Sequence, residues 1–131
     1  MPTPSLTAIV PCNDLDLSEA FYARLGFTAP EPHEHDDYRI LADGKGGTLH
    51  LTKAVEGWVV PGRNPFGLYL YTPDVDAIAA RFTGEIVEIE APSDKPWGMY
   101  EFALSDPDGV LVRIGWPSQS LGWRRPSQSH R

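Results

Sequence analysis

Short stretches of alternating apolar and polar side chains run through most of this chain, and helical spacing replaces the alternation in two places. Alternation of period two is typical of strands that bury one face. It predicts strands over residues 6–11, 38–42, 48–53, 67–72, 85–90, 99–105 and 110–116. The segment 27–37 is rich in proline and acidic residues and is expected to add a weak edge strand at best.

Two helices are predicted between these strands. The first begins near Asp14 and ends at Gly26, and the second begins near Asp74 and ends at Gly84, because aspartate favours helix starts and glycine favours helix ends. The predicted apolar faces comprise Leu17, Ala20, Phe21 and Leu25 in the first helix, and Val75, Ile78, Ala79 and Phe82 in the second.

The order strand, helix, strand, strand, strand occurs twice. Asp14-Leu15-Asp16 returns 60 residues later as Asp74-Val75-Asp76, and Asp43 returns 63 residues later as Asp106. A near-constant offset through both ends of the pattern indicates an internal duplication. We therefore predict an α+β domain over residues 1–116, built from two βαβββ modules at about residues 5–60 and 65–116. Residues 117–131 read as a flexible C-terminal tail.

Charge and composition narrow the classes of partner. The chain has 18 acidic and 11 basic side chains, and this acidic balance is expected to repel nucleic acid and to attract cations. No apolar run approaches the length of a membrane span, and the N-terminus lacks the pattern of a signal peptide. We expect a cytoplasmic protein with no nucleic-acid or membrane partner. The single cysteine, Cys12, excludes an internal disulfide.

Several local motifs, in a fixed order, resemble one superfamily. The duplicated module order, the helix end Phe21–Phe27 and the turn Asp106–Gly109 resemble the vicinal-oxygen-chelate superfamily. That group includes glyoxalase I, extradiol dioxygenases, fosfomycin-resistance transferases and bleomycin-resistance proteins. Residues 6–116 look most like the bleomycin-resistance proteins. The motifs that carry this likeness are Asp36-Asp37-Tyr38, Thr48-Leu49, Ala54-Val55, Val59-Val60-Pro61 and Pro96-Trp97-Gly98 followed by Glu101-Phe102-Ala103-Leu104.

The resemblance implies a concave, curved mixed sheet with helices on its outer face, and a homodimer. Enzymes of the superfamily hold a divalent metal at four positions, which correspond here to Thr7, His50, Gly67 and Arg113. Threonine is a poor ligand, glycine has no side chain, and a guanidinium repels a dication. Since His50 alone could coordinate, we expect no metal and no cofactor.

Aromatic side chains are the predicted ligand contacts. In the strand Leu68–Tyr71 the two tyrosines share one face, and the resemblance places such aromatics on the concave side. Tyr38 and Trp97 match aromatic positions of the resistance proteins, and Trp58 lies in a loop near their groove. The predicted ligand-binding residues are Tyr38, His50, Trp58, Tyr69, Tyr71, Trp97, Glu101 and Arg113, with Asp36 and Asp37 as an acidic rim.

Several assignments stay open from the sequence. His50 fits a hydrogen-bonded residue of a polar cavity or a general base, and Glu101 with Arg113 fits an ion pair or a contact to a charged ligand. His33 and His35 could bind a metal or lie in a solvated loop. The favoured function is metal-free sequestration of a small, aromatic, cationic antibiotic such as bleomycin. A metal-dependent lyase or dioxygenase, a metal-free isomerase and a ligand-sensing dimer are the alternatives.

Overall fold

Seven strands and two α-helices make up most of the computed structural model, which describes residues 4–32, 36–88 and 91–124. The chain divides into two compact units. Unit 1 comprises the described residues up to Asn64 together with Pro107–Gly109, and unit 2 comprises Pro65–Asp106 and the described residues from Val110 onward. The passage from one unit to the other falls where the duplicated pattern places the second module.

Unit 1 is a three-stranded sheet with one helix. Its elements are β1 (Ala8–Cys12), α1 (Leu15–Arg24), β2 (Tyr38–Ala42) and β3 (Thr48–Lys53). The strand order is β1-β3-β2, with β1 parallel and β2 antiparallel to β3. On β3, Leu49 and Leu51 are buried while His50 lies on the other face, as the alternation predicts.

Unit 2 is a four-stranded sheet with one α-helix. Its elements are β4 (Gly67–Tyr71), α2 (Val75–Ala80), β5 (Ser93–Asp94), β6 (Met99–Ser105), β7 (Leu111–Pro117) and a 3-10 helix (Ser118–Arg124). The strand order is β4-β7-β6-β5, with β4 parallel to β7 and the other pairs antiparallel. The predicted α+β class, with mixed strands in each sheet, is confirmed.

Helix α1 buries a different face from the predicted one. Asp14 caps it by accepting a hydrogen bond from the backbone N–H of Leu17 at 3.1 Å. Leu15 is buried, whereas Leu17 is 59% exposed, so the prediction for Leu17 was wrong, and Ala20 is also exposed. Residues two apart on a helix point about 200° from each other. Leu15 and Leu17 therefore cannot both face the sheet.

Helix α2 agrees with its prediction. Val75, Ile78, Ala79 and Phe82 are all buried. Gly84 follows with φ 85°, a left-handed conformation that glycine adopts without strain. The spacing of apolar residues thus identified the core-facing side of this helix.

The outermost strand of unit 2 lies later in the chain than predicted. Instead of a strand over 85–90, Val87 forms an isolated bridge with Ala103, and Ser93–Asp94 pairs with β6. Glu88 has φ 75°, which interrupts an extended backbone. In unit 1 the weak edge strand is likewise reduced to one bridge, between Thr28 and Ala42.

The segment after β7 is partly helical. Ser118–Arg124 forms the 3-10 helix and Leu121 is 4% exposed, whereas the sequence predicts a flexible tail from residue 117. An apolar side chain that can be buried orders the start of this segment. Residues 125–131 lie outside the described part of the chain. None of the described helices is long and apolar enough to cross a bilayer.

The buried carboxylate of Asp108 joins several parts of unit 1. It accepts hydrogen bonds from the backbone N and the Nδ2 of Asn13, at 3.2 and 2.8 Å, and from the Oγ of Ser18 at 3.4 Å. Ser18 is 0% exposed, so water cannot replace the lost acceptor. The turn motif that the sequence marks as a hairpin end therefore also satisfies buried donors.

Replacing Asp108 by alanine is expected to lower the free energy of unfolding by about 1–3 kcal/mol, because buried donors lose their acceptor. Urea denaturation followed by circular dichroism measures this loss. The matched control Glu56→Ala, at an exposed acid of the same unit, is expected to change stability by less than about 0.5 kcal/mol. Equal effects of the two substitutions would contradict the assignment.

Candidate functional site

A fully buried carboxylate, Glu101 on β6, organises the polar side chains of unit 2. Glu101 is 0% exposed. Its Oε1 accepts hydrogen bonds from the Tyr69 hydroxyl at 2.6 Å and from the Trp97 indole Nε1 at 3.2 Å. Its Oε2 accepts one from Nη1 of Arg113 at 3.1 Å. Of the two sequence interpretations of Glu101 and Arg113, the ion pair is therefore formed.

Strand register explains why these groups meet. Glu101 lies opposite Gly115 on β7, and Tyr69 on β4 lies opposite Arg113. A Cβ at residue 115 would lie 2.2 Å from the Tyr69 hydroxyl oxygen and 2.8 Å from the Cβ of Glu101. Since real Cβ atoms do not come so close, Gly115 makes the space in which Tyr69 reaches the carboxylate.

Three aromatic side chains, Tyr69, Tyr71 and Trp97, surround this carboxylate and form what we call the aromatic platform. The Tyr69 and Tyr71 rings are 4.5 Å apart between centroids and inclined by 36°. Tyr71 is 63% exposed and Trp97 is 62% exposed. Trp97 lies on the turn closed by the Gly98 N–H to Lys95 carbonyl bond of 3.0 Å. Large exposed aromatic rings held by internal contacts are typical of binding surfaces.

Glu88 extends the charged network to the solvent, and the sequence analysis missed it. Its Oε2 lies 3.5 Å from Nη2 of Arg113, and its side chain is 50% exposed. Its φ of 75° is unfavourable for a residue with a side chain, and backbone strain of this kind concentrates at functional sites. No feature of the sequence signals a left-handed glutamate, so alternation alone assigned it to a strand.

The phenol of Tyr69 is held in its neutral form. Burial, followed by the hydrogen bond to Glu101, raises the pKa of Tyr69 well above its ordinary value, because a phenolate here would lie beside a carboxylate. Tyr69 can therefore donate a hydrogen bond to Glu101 throughout the neutral and mildly alkaline range.

In unit 1, Tyr38 and His50 form a separate polar pair. The Tyr38 hydroxyl and the His50 Nδ1 are 2.6 Å apart, with the rings edge to face. His50 is thus a hydrogen-bonded residue, as the first of its two sequence interpretations has it. Ile9 and Ile40 lie beside it in register and are 56% and 54% exposed. An apolar surface with one polar pair at its centre is a second candidate contact area.

The other predicted contacts of unit 1 do not join this pair. Trp58 is 79% exposed, and no ring contact links it to Tyr38 or His50 within the described ranges. Asp36 and Asp37 are exposed and line a cavity of about 220 Å³ that none of the predicted aromatic contacts lines. The residues lining it are Asn13, Asp14, Leu15, Asp16, Asp36, Asp37, Arg39 and Lys53. His33 and His35 lie outside the described residues.

The four positions that correspond to the superfamily's metal ligands do not fit a divalent metal. The Thr7 hydroxyl is 2.6 Å from that of Thr48, and His50 Nδ1 is engaged by Tyr38. Gly67 offers no side chain, and Arg113 brings a positive charge already paired with a carboxylate. Among the described residues no three histidine, cysteine or acidic side chains cluster as a metal site would require.

Alkaline titration is expected to reveal Tyr69. Its tyrosinate absorbance should appear only well above pH 10, the ordinary tyrosine pKa being about 10. The step is assigned by its loss in Tyr69→Phe. Because the folded chain keeps a proton that the unfolded chain releases, this contribution to stability is full below pH 10 and declines above it. A Tyr69→Phe difference spectrum that develops below pH 10 would contradict the described environment.

Comparisons with known proteins agree with this architecture. The family model of the Glyoxalase/Bleomycin resistance protein/Dioxygenase superfamily matches residues 6–114. Comparison with curated proteins gives no significant match.

Three solved structures of 30% sequence identity are similar to the chain. A bleomycin-binding protein complexed with bleomycin has a TM-score of 0.71, with 87% of this chain and 98% of that chain covered. A bleomycin resistance determinant encoded on the transposon Tn5 has a TM-score of 0.70, with 88% and 98% covered. TnmS3, an antibiotic binding protein from Streptomyces sp. CB03234, has a TM-score of 0.64, with 90% and 99% covered. The chain belongs to the glyoxalase/bleomycin resistance/dioxygenase superfamily, and these neighbours are antibiotic-binding and resistance proteins.

Proposed function

We propose that this protein binds and sequesters a small, aromatic, cationic antibiotic of the bleomycin type, without a metal. The observation that carries the proposal is the aromatic platform, in which Tyr71 and Trp97 expose most of their surface while internal contacts anchor the platform. The antibiotic-binding neighbours of 30% identity support the same class of ligand.

Stacking supplies the expected affinity. Each aromatic pair adds about 0.5–1.5 kcal/mol beyond the burial of its area. A cation over an exposed ring adds about 0.5–1 kcal/mol more. The net charge of −7 favours the approach of a cationic ligand over an anionic one. A flat, positively charged molecule gains from all three terms.

Sequestration requires no bond to be made or broken. A protein that binds the antibiotic tightly lowers the free concentration of the antibiotic by mass action alone. We also propose a homodimer, as the resemblance implies. The exposed side chains of Ile9 and Ile40 support this, because they leave apolar surface that a second copy or a ligand would cover.

Titration with bleomycin tests the proposal. Tryptophan fluorescence should be quenched at micromolar drug or below, and Trp97→Ala should weaken binding at least about tenfold, which is the loss of roughly 1.4 kcal/mol of contact energy. Tyr100→Phe is the control, because Tyr100 lies on β6 next to Glu101 and its hydroxyl bonds Asp76 instead. Unchanged affinity in Trp97→Ala would remove Trp97 from the site.

Metal analysis separates this proposal from the enzymatic alternative. We expect purified protein to contain much less than one equivalent of nickel, zinc, iron or manganese, and bleomycin binding to survive treatment with a chelator. The reason is the unsuitable ligand set at residues 7, 50, 67 and 113. A stoichiometric metal whose removal abolishes binding would favour a lyase or a dioxygenase instead.

A further inference from the structure

We propose that Glu101 is the positioning residue of the aromatic platform: its carboxylate touches no ligand and fixes the orientation in which Trp97 and Tyr69 meet one. The inference rests on the proposed function, since it takes the platform to be the binding surface. It changes the role of Glu101 from a ligand contact to a support that acts through its two aromatic neighbours.

Burial separates Glu101 from any ligand. Its side chain is 0% exposed, whereas Trp97 is 62% exposed. The indole has a single N–H donor, and that donor is bound to Oε1 of Glu101 at 3.2 Å. The same oxygen holds the Tyr69 hydroxyl at 2.6 Å. One atom therefore sets the orientation of two rings of the platform.

Fixing Trp97 in advance has a direct benefit for binding. A tryptophan on an exposed turn can occupy several rotamers, and a ligand that selects one of them loses the free energy of ordering it. The bond to Glu101 restricts the indole before the ligand arrives. The exposed faces of the platform are then offered in one arrangement.

Arg113 makes the buried carboxylate tolerable and so has a structural task. Its Nη1 donates to Oε2 of Glu101 at 3.1 Å, which compensates a charge that would otherwise be costly to bury. An anionic ligand would have to compete with Glu101 for this guanidinium. The platform is therefore expected to select neutral or cationic aromatic compounds over anionic ones.

Gly115 provides a second, independent line to the same conclusion. A Cβ there would come within 2.2 Å of the Tyr69 hydroxyl and 3.1 Å of the Tyr100 carbonyl oxygen. The Tyr69–Glu101 contact thus needs a glycine on the facing strand. Gly115→Ala should displace the phenol, which disturbs the platform while the carboxylate and the indole are both retained.

A double-mutant cycle with bleomycin as the probe tests the positioning role. Glu101→Gln should weaken binding at least about tenfold in the otherwise unchanged protein, but less than about twofold when Trp97→Ala is already present. A residue that acts through Trp97 has nothing to act on once the indole is gone. Equal losses in both backgrounds would overturn the proposal, as would full affinity in Glu101→Gln.

A ligand-free measurement keeps the inference testable if bleomycin does not bind. In ¹⁵N-labelled protein, the Trp97 indole N–H resonance is assigned by its absence in Trp97→Phe. We expect it to exchange slowly with solvent, and to shift and exchange faster in Glu101→Gln, with Glu56→Gln at an exposed acid as the matched control. An indole resonance unaffected by Glu101→Gln would overturn the inference.

The two measurements also tell its failure apart from that of the proposed function. No bleomycin binding together with a Glu101-dependent resonance would refute only this ligand. Should Glu101→Gln not fold, Gly115→Ala replaces it in both experiments. It is then expected to weaken binding and to shift the indole resonance through the displaced Tyr69, and an unchanged resonance and affinity would count against the proposal.

Discussion

One buried carboxylate determines how the polar residues of unit 2 can be arranged. Glu101 is withdrawn from water, so each of its oxygens must accept hydrogen bonds from the protein, and the donors come from Tyr69, Trp97 and Arg113. The neutral state of Tyr69, the place of Trp97 on its turn and the glycine at residue 115 all follow from that requirement. Removing any of these groups leaves the others with an unsatisfied atom.

The internal duplication shows how the same positions can carry different chemistry. In each unit the residue on the central strand, His50 or Arg113, contacts a side chain that lies 63 residues away from its counterpart, Tyr38 or Glu101. Unit 1 fills these positions with a neutral hydrogen bond, and unit 2 fills them with an ion pair. The backbone pattern is common to both units, while the side chains decide which of the two has a charged centre.

Much of this arrangement can be predicted from the sequence, because strands and helices depend on local periodicity. The alternation around Tyr69 and Tyr71, the apolar face of α2 and the pairing of Glu101 with Arg113 are all local or follow from strand register. The phase of α1 was not predictable from spacing, since Leu15 and Leu17 are equally apolar and only packing distinguishes them. The positive φ of Glu88 and the complete burial of Glu101 also depend on three-dimensional neighbours.

The replacement of metal ligands by an ion pair has a consequence for the kind of ligand that fits. A divalent ion on the sheet would bind the oxygens of a substrate directly and would favour anionic or chelating molecules. In this chain a guanidinium occupies one such position, and its charge is matched by Glu101 within the same sheet. The strongest charges are thereby paired with each other, and the exposed surface that remains beside them is aromatic. Selection on such a surface depends on the shape and polarisability of flat rings, which is why a protein of this superfamily can exchange catalysis on small polar substrates for retention of a large aromatic one.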